Sequence, residues 1–90
     1  MKIPPVVVAA IVSELDRAEK LHPNYPHDPL RRVAIVGEEA GEALRAALDM
    51  TRPSARAVER EYAKLGLVDE LVQVASTAIR ALIAFDEENS

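Results

Sequence analysis

The residues best suited to chemistry lie in the stretch from Val36 to Leu44, where Glu38, Glu39 and Glu42 interrupt small and apolar residues. On an α-helix, residues three apart differ by about 60° around the axis, so Glu39 and Glu42 project to one side. Two carboxylates held this close repel each other and resist burial. A divalent cation bound by oxygen ligands would compensate their charge. A solvated acidic face is the alternative that this stretch alone leaves open.

A second polar pair, Glu70 and Gln73, repeats the same spacing further along the chain. If the two pairs face each other between packed helices, three carboxylates and one amide converge. Oxygen ligands of this kind suit Mg²⁺ or Mn²⁺, with waters filling the remaining positions. Facing helices of a bundle build carboxylate sites in this way, and Mg²⁺ in such sites commonly bridges to substrate phosphates.

Helical periodicity predicts three helices that would position these groups, and no strand. The first helix starts at Pro4 and Pro5 and ends at about Leu21, and the second runs from about Pro29 to Met50. Asp28 is its predicted N-cap, followed by proline at the first helical position. The third helix is predicted from about Ala55 to Phe85, with Ser54 as its cap and a loosened turn at Gly66.

Two faces are expected on the third helix. The apolar stripe consists of Leu65, Val68, Leu71, Val72, Ala75, Ile79 and Leu82. The opposite face carries Gly66, Asp69, Glu70, Gln73, Thr77 and Arg80. We expect Arg80 to pair with an acid one turn away, and the polar tail from Asp86 to Ser90 to fray.

Composition limits the fold and the partners. Ninety residues are expected to form one domain, 1–90. Of the chain, 49% is hydrophobic but only 3% is aromatic, so its core is expected to be thin, which favours oligomerisation. The net charge of −4, with acids and bases interleaved, disfavours a nucleic-acid polymer as partner. No apolar run has the length of a membrane span, and the N-terminus lacks a signal-peptide profile. The absence of cysteine fits a cytoplasmic protein.

Several motifs together resemble the MazG-like all-α nucleoside triphosphate pyrophosphatases. Glu38-Glu39-Ala-Gly-Glu42 looks like their EExxE motif, and Glu70-Leu-Val-Gln73 occupies the place of their ExxD motif on a following helix. The loop segment His22-Pro…Asp28-Pro-Leu is similar to a small MazG-like subgroup. The resemblance covers most of residues 14–84, and the order of the elements makes it more specific than EExxE alone.

The resemblance implies a set of metal ligands. Glu39 and Glu42 would bind the metal with Glu38 beside them, and Glu70 would be the first ligand of the second pair. Gln73 departs from the family pattern, because a neutral amide replaces a charged aspartate. The departure would weaken Mg²⁺ binding or shift the role to Asp69, whose side chain points about 100° away from that of Glu70.

The resemblance also suggests substrate contacts, each with a simpler structural reading. Lys20, Arg31 and Arg32 could touch phosphates, although helix-end charges are usually just solvated. Tyr25, which lies in a loop with Pro23, Pro26, Pro29 and both histidines, could stack on a base or simply anchor that loop. His22 and His27 have no partner at helical spacing, which favours hydrogen bonding within the loop over metal ligation.

The sequence thus predicts an all-α antiparallel bundle of about three helices, with a four-helix core completed in a homodimer or homotetramer. The implied function is Mg²⁺-dependent hydrolysis of a nucleoside triphosphate to the monophosphate and pyrophosphate, for instance in removing non-standard nucleotides. Glu38, Glu39 and Glu42 are the predicted catalytic residues. Two alternatives stay open: a phosphoribosyl-ATP pyrophosphatase, and a non-catalytic helical oligomer or binding module whose metal site is weakened by Gln73.

Overall fold

The computed structural model describes residues 1–89 and consists of three α-helices. Helix α1 spans Pro5–Leu21, α2 spans Pro29–Thr51 and α3 spans Ala57–Glu88. No strand occurs in the described residues, so the all-α prediction is confirmed. None of these helices combines the length and the apolar character that a membrane crossing requires.

The starts of the first two helices follow the predicted chemistry. Proline occupies the first turn of both α1 and α2, where its missing N–H group costs no hydrogen bond. Asp28 caps α2 by accepting a hydrogen bond from the Leu30 backbone N–H at 3.0 Å. This predicted cap is confirmed.

Helix α3 differs from the prediction at both ends. Ser54 does not cap it, because the N-cap position is Arg56 and no side chain makes a capping hydrogen bond there. The helix continues through Gly66 without a break and runs on to Glu88, where a frayed tail was expected. The last turn carries Glu88, which forms an ion pair with Arg32 of α2, and this contact accounts for the order of the tail as far as Glu88. Ser90 lies outside the described residues.

Helix α3 is the central element, since it packs against α2 along much of its length and against α1 more briefly. The start of α2 meets the end of α3 where Arg32 pairs with Glu88. The middle of α2 meets the middle of α3 at Glu42 and Glu70. Glu39 and Glu42 of α2 therefore face Glu70 of α3, an arrangement that the sequence raised only as a condition.

The interior of the chain is thin and partly polar. Among residues 1–89, the buried hydrophobic residues are the alanines Ala43, Ala55 and Ala81, and the largest fully buried side chains are Arg32 and Ser76. By contrast, Leu71 and Leu82 of the α3 stripe are 53% and 69% exposed. Within one chain, α3 therefore buries the side of the helix that carries Ser76 and leaves much of its apolar stripe in solvent.

Candidate metal centre

Three carboxylates converge where α2 crosses α3. Glu39, Glu42 and Glu70 each offer an oxygen atom that lies within 4.8 Å of the others. Glu39 and Glu42 project together from α2 because three residues correspond to nearly one helical turn. Glu70 comes from the facing turn of α3 and is half-buried, as is Glu39, whereas Glu42 is exposed.

The electrostatics of this cluster reflect three like charges in a partly desolvated place. Burial, followed by the neighbouring Glu42 and Glu39 carboxylates, raises the pKa of Glu70 to about 7. Burial and then the charge of Glu42 also raise the pKa of Glu39. Groups this close titrate together, and Glu70 is the member that holds a proton most readily.

One oxygen of the cluster has no hydrogen-bond partner in the described part of the chain. Glu70 Oε2 is buried, and its closest polar neighbours are carboxylates, which have no proton to donate when ionised. A buried acceptor without a donor is costly. A cation placed among the three carboxylates would satisfy Oε2 and remove the repulsion, and hard oxygen donors are the ligands that Mg²⁺ and Mn²⁺ prefer.

An open cavity of about 760 Å³ lies on one side of the cluster, lined by Glu38, Gly41, Glu42, Arg45, Ala46, Asp49, Gly66 and Glu70. Glu38, the predicted base, therefore lies on the same cavity as two of the cluster carboxylates. Asp69 is exposed and is not part of the cluster. Its side chain lies about 100° around α3 from that of Glu70, and the structure does not bring this predicted ligand to the other three.

A second cavity, of about 410 Å³, lies on the other side of Glu39 between α1, the loop and α3. Its lining residues include Tyr25, Arg31, Glu39, Gln73, Ser76 and Arg80. Gln73, the predicted amide ligand, thus lines this cavity one turn along α3 from Glu70. Arg31 also lines it, whereas Lys20 is an exposed residue of the last turn of α1 and does not.

The Glu14 carboxylate of α1 lies next to Gln73. Glu14 accepts two hydrogen bonds from the Arg17 guanidinium, at 2.9 and 2.5 Å. Arg17 first, and the Gln73 amide more weakly, hold the pKa of Glu14 below its ordinary value. The negative charge of Glu14 in turn contributes to the raised pKa of Glu39. The sequence pattern placed Glu14 on the polar side of the first helix but contained no signal that it would approach α2 and α3.

Tyr25 and Arg80 form one wall of the second cavity. The Tyr25 hydroxyl donates a hydrogen bond to the Thr77 carbonyl at 3.3 Å, and the Arg80 guanidinium lies 4.8 Å from the centre of the Tyr25 ring. Arg80 also donates to the His22 carbonyl at 2.6 Å. The expected surface pair of Arg80 is not formed, because none of the residues one turn away on α3 is acidic. The guanidinium instead contacts the loop.

Arg32 occupies a structural position. It is 1% exposed, it donates to the Pro26 carbonyl at 2.6 Å and to both oxygens of Glu88, and its guanidinium lies 4.6 Å from the Phe85 ring centre. These contacts join the loop, α2 and the end of α3. Arg32 would have to give up these contacts in order to bind a phosphate as suggested.

Comparison of the chain with family models, with curated proteins and with solved structures finds no match.

Proposed function

We propose that this protein is a Mg²⁺-dependent nucleoside triphosphate pyrophosphohydrolase, with Mn²⁺ as an alternative ion. The observation that carries the proposal is the convergence of Glu39, Glu42 and Glu70 within 4.8 Å, with one buried oxygen of Glu70 left without a donor. The similarity of Glu38–Glu42 and Glu70–Gln73 to the EExxE and ExxD motifs supports the same reaction.

In this proposal each acidic residue has a distinct task. Glu39, Glu42 and Glu70 would hold the ion, which supplies positive charge against the triphosphate and polarises a water molecule for attack. Glu38 lines the cavity beside Glu42 and Glu70 and is free to accept the proton of the attacking water. Attack on the α-phosphorus breaks the bond to the β-phosphate and gives the nucleoside monophosphate and pyrophosphate.

Positive charge from the protein would come from Arg31. It is exposed, lines the cavity beside Glu39, and has no carboxylate partner within salt-bridge distance in the described residues. An unpaired guanidinium next to the metal ligands is suited to a substrate phosphate. Arg32 would act indirectly, by holding the loop that carries Tyr25.

A second candidate is a non-catalytic helical oligomer or binding module. The observation that favours it is Gln73, which lines the second cavity and adds no negative charge to the cluster. A phosphoribosyl-ATP pyrophosphatase is a further candidate of the same reaction class, and phosphoribosyl-ATP is therefore included among the substrates below.

The test is pyrophosphate release from canonical and modified nucleoside triphosphates and phosphoribosyl-ATP, measured with Mg²⁺, with Mn²⁺ and with EDTA. We expect Glu39→Ala to lower metal-dependent release by on the order of 100-fold or more, because a ligand of the charge-stabilising ion is lost. Glu61→Ala, at an exposed position on α3, is the matched control and should retain activity.

Absence of metal-dependent release from every substrate, or equal release by wild type and Glu39→Ala, would refute the enzyme proposal. Gln73→Asp then distinguishes the two candidates. If the wild type is inactive and the Gln73→Asp variant is active, Gln73 is the cause of the missing activity. The chain is then a non-catalytic oligomer or binding module.

We further propose that the chain associates as a homodimer or homotetramer, in which helices from two copies complete a four-helix core. The support is the exposure of large apolar residues on α3, including Leu65, Val68, Leu71 and Leu82, in a chain whose buried hydrophobic residues are three alanines. An apolar groove of about 390 Å³ between the first half of α1 and α3 adds to this surface. Large exposed apolar surfaces mark association sites.

Sedimentation velocity tests this association. We expect the wild type to sediment as two or four chains and Leu71→Lys to sediment as a smaller species, since a charge in an apolar interface opposes association. Glu61→Lys, which introduces the same side chain at an exposed polar position of the same helix, should leave the oligomeric state unchanged. A monomeric wild type at micromolar concentration would contradict the proposal.

A further inference from the structure

Ser76 is the one side chain of the second cavity whose polar atom is both buried and without a partner in the described residues. The residue is 2% exposed, it lines the cavity, and its Oγ makes no hydrogen bond. A helical serine usually relieves such a situation by donating to the carbonyl one turn earlier. Thr77, its neighbour, does this by donating to the Val74 carbonyl at 3.1 Å.

The position of Ser76 relates this cavity to the acidic cluster. Glu70, Gln73 and Ser76 follow one another at intervals of three residues along α3, so each side chain is turned about 60° from the one before it. With a rise of about 1.5 Å per residue, Ser76 is about 9 Å along the axis from Glu70. Glu39 takes part in the acidic cluster and also lines the cavity, so the cavity borders the cluster.

The walls of the cavity are suited to a flat, polar, aromatic group. The Arg80 guanidinium lies over the Tyr25 ring, 4.8 Å from its centre, and this stacked pair lines the cavity. Gln73 and Glu14 both line the cavity. The Gln73 amide can donate through its NH₂ group and accept through its carbonyl oxygen, which suits the edge of a polar ring. The volume of about 410 Å³ falls within the range of about 300–1,000 Å³ that is typical of small-molecule sites.

We propose that this cavity binds the nucleobase of the substrate, with the Ser76 hydroxyl as the group that hydrogen-bonds the base. The inference rests on the proposed function for the identity of the ligand. Gln73 then belongs to the base pocket, beside Glu14. Its amide contacts the base, whereas an aspartate at this position would bind the metal. The Tyr25–Arg80 pair provides the stacking surface, and Arg31 lies at the side of the phosphates.

The assignment predicts an unusual combination for Ser76→Ala. Removal of an unpartnered buried hydroxyl should leave the melting temperature unchanged or raise it, because no internal hydrogen bond is lost. Base binding should nevertheless weaken by about 5–10-fold, the usual effect of one hydrogen bond. A purely structural serine would not produce weaker binding together with undiminished stability.

Nucleosides provide the test, since they lack phosphates and their binding does not depend on a metal or on catalysis. ¹H–¹⁵N NMR spectra of the metal-free chain are recorded during titration with adenosine, guanosine, cytidine, uridine and thymidine. We expect at least one nucleoside to shift the amide signals of residues 24–27 and 73–80. Ser76→Ala should weaken that binding, and Ser13→Ala, at an exposed serine of α1, should not.

Two outcomes overturn the inference: no nucleoside shifts these signals at millimolar concentration, or Ser76→Ala binds as tightly as wild type. The outcome is separable from that of the proposed reaction. Nucleoside binding without pyrophosphate release supports the pocket and refutes the enzyme. Metal-dependent release with the same KM for every base in wild type and Ser76→Ala supports the enzyme and refutes the pocket.

Discussion

Helices α2 and α3 meet at two charged contacts of opposite character. Near the start of α2, the buried Arg32 guanidinium pairs with Glu88 and donates to a loop carbonyl. Further along α2, Glu39 and Glu42 meet Glu70, and all three groups are acids. The first contact satisfies its charge with internal partners, whereas the second leaves like charges together and one buried oxygen without a donor. The first contact therefore holds the fold together, and the second is the proposed site of a cation.

The pKa directions distinguish the two contacts in the same way. The Arg32 guanidinium lowers the pKa of Glu88, which means that the folded chain stabilises the charged carboxylate there. Burial and the neighbouring acids raise the pKa of Glu70, which means that the folded chain disfavours its charge. Above the ordinary carboxyl pKa, the ionised Glu88 therefore stabilises the folded chain, whereas ionisation of Glu70 destabilises it.

The largest expected effect on stability comes from breaking the satisfied contact. Arg32→Ala removes hydrogen bonds to the loop and to Glu88 and leaves a void beside Phe85. We expect the melting temperature to fall by roughly 8–15 °C, as loss of a hydrogen-bonded buried side chain does in a domain of this size. Differential scanning calorimetry of the metal-free chain measures this change.

Two further variants sharpen the Arg32 test. Arg32→Lys keeps the charge but cannot form the two-pronged contact with Glu88, so it should recover only part of the loss. Arg60→Ala, at an exposed position of α3, should change the melting temperature little. If Arg32→Ala melts at the same temperature as Arg60→Ala, Arg32 does not hold the loop. That result would favour its suggested role at a phosphate.

A smaller effect of opposite sign is expected at the acidic cluster. Because the folded-state pKa of Glu70 is raised to about 7, its contribution to stability is fully present below the ordinary carboxyl pKa. That contribution is lost as the pH rises through about 7. Glu70→Gln cannot ionise. In the absence of metal it should therefore melt at a higher temperature than wild type at pH 8 and show little difference at pH 5.

Arginine partners lower the pKa values of Glu14, Glu59 and Glu88, so these groups lose stability as the pH falls. Wild type and Glu70→Gln share these three groups, and their effect on the melting temperature cancels in the comparison. Addition of Mg²⁺ at pH 8 should raise the melting temperature of wild type more than that of Glu70→Gln, because binding to the folded chain is stabilising. Glu61→Gln is the control at an exposed site. A wild type that is as stable as Glu70→Gln at every pH would show that the carboxylates do not repel each other.

Local patterns predicted the elements well. The ends of α1 and α2 follow from prolines at their first turns, from the Asp28 cap and from apolar periodicity, which are properties of adjacent residues. The common side of Glu39 and Glu42 followed from spacing, because a helix places residues three apart on one side. Their approach to Glu70 depends on the packing of α2 against α3. The predicted Ser54 cap of α3 was wrong. The helix also runs to Glu88, where a frayed tail was predicted, and its last turn pairs with Arg32, which is distant in the sequence.

The sequence by itself determined that the chain is helical and that two acidic pairs could face each other, because both depend on the 3.6-residue period and on local capping. Only the tertiary structure decided which face of α3 is covered within one chain. It also decided that Arg32 is buried, that Glu14 approaches Gln73 and that the Ser76 hydroxyl has no partner. These properties depend on the relative positions of three helices, which arise from contacts between distant residues and leave no periodic signal in the chain.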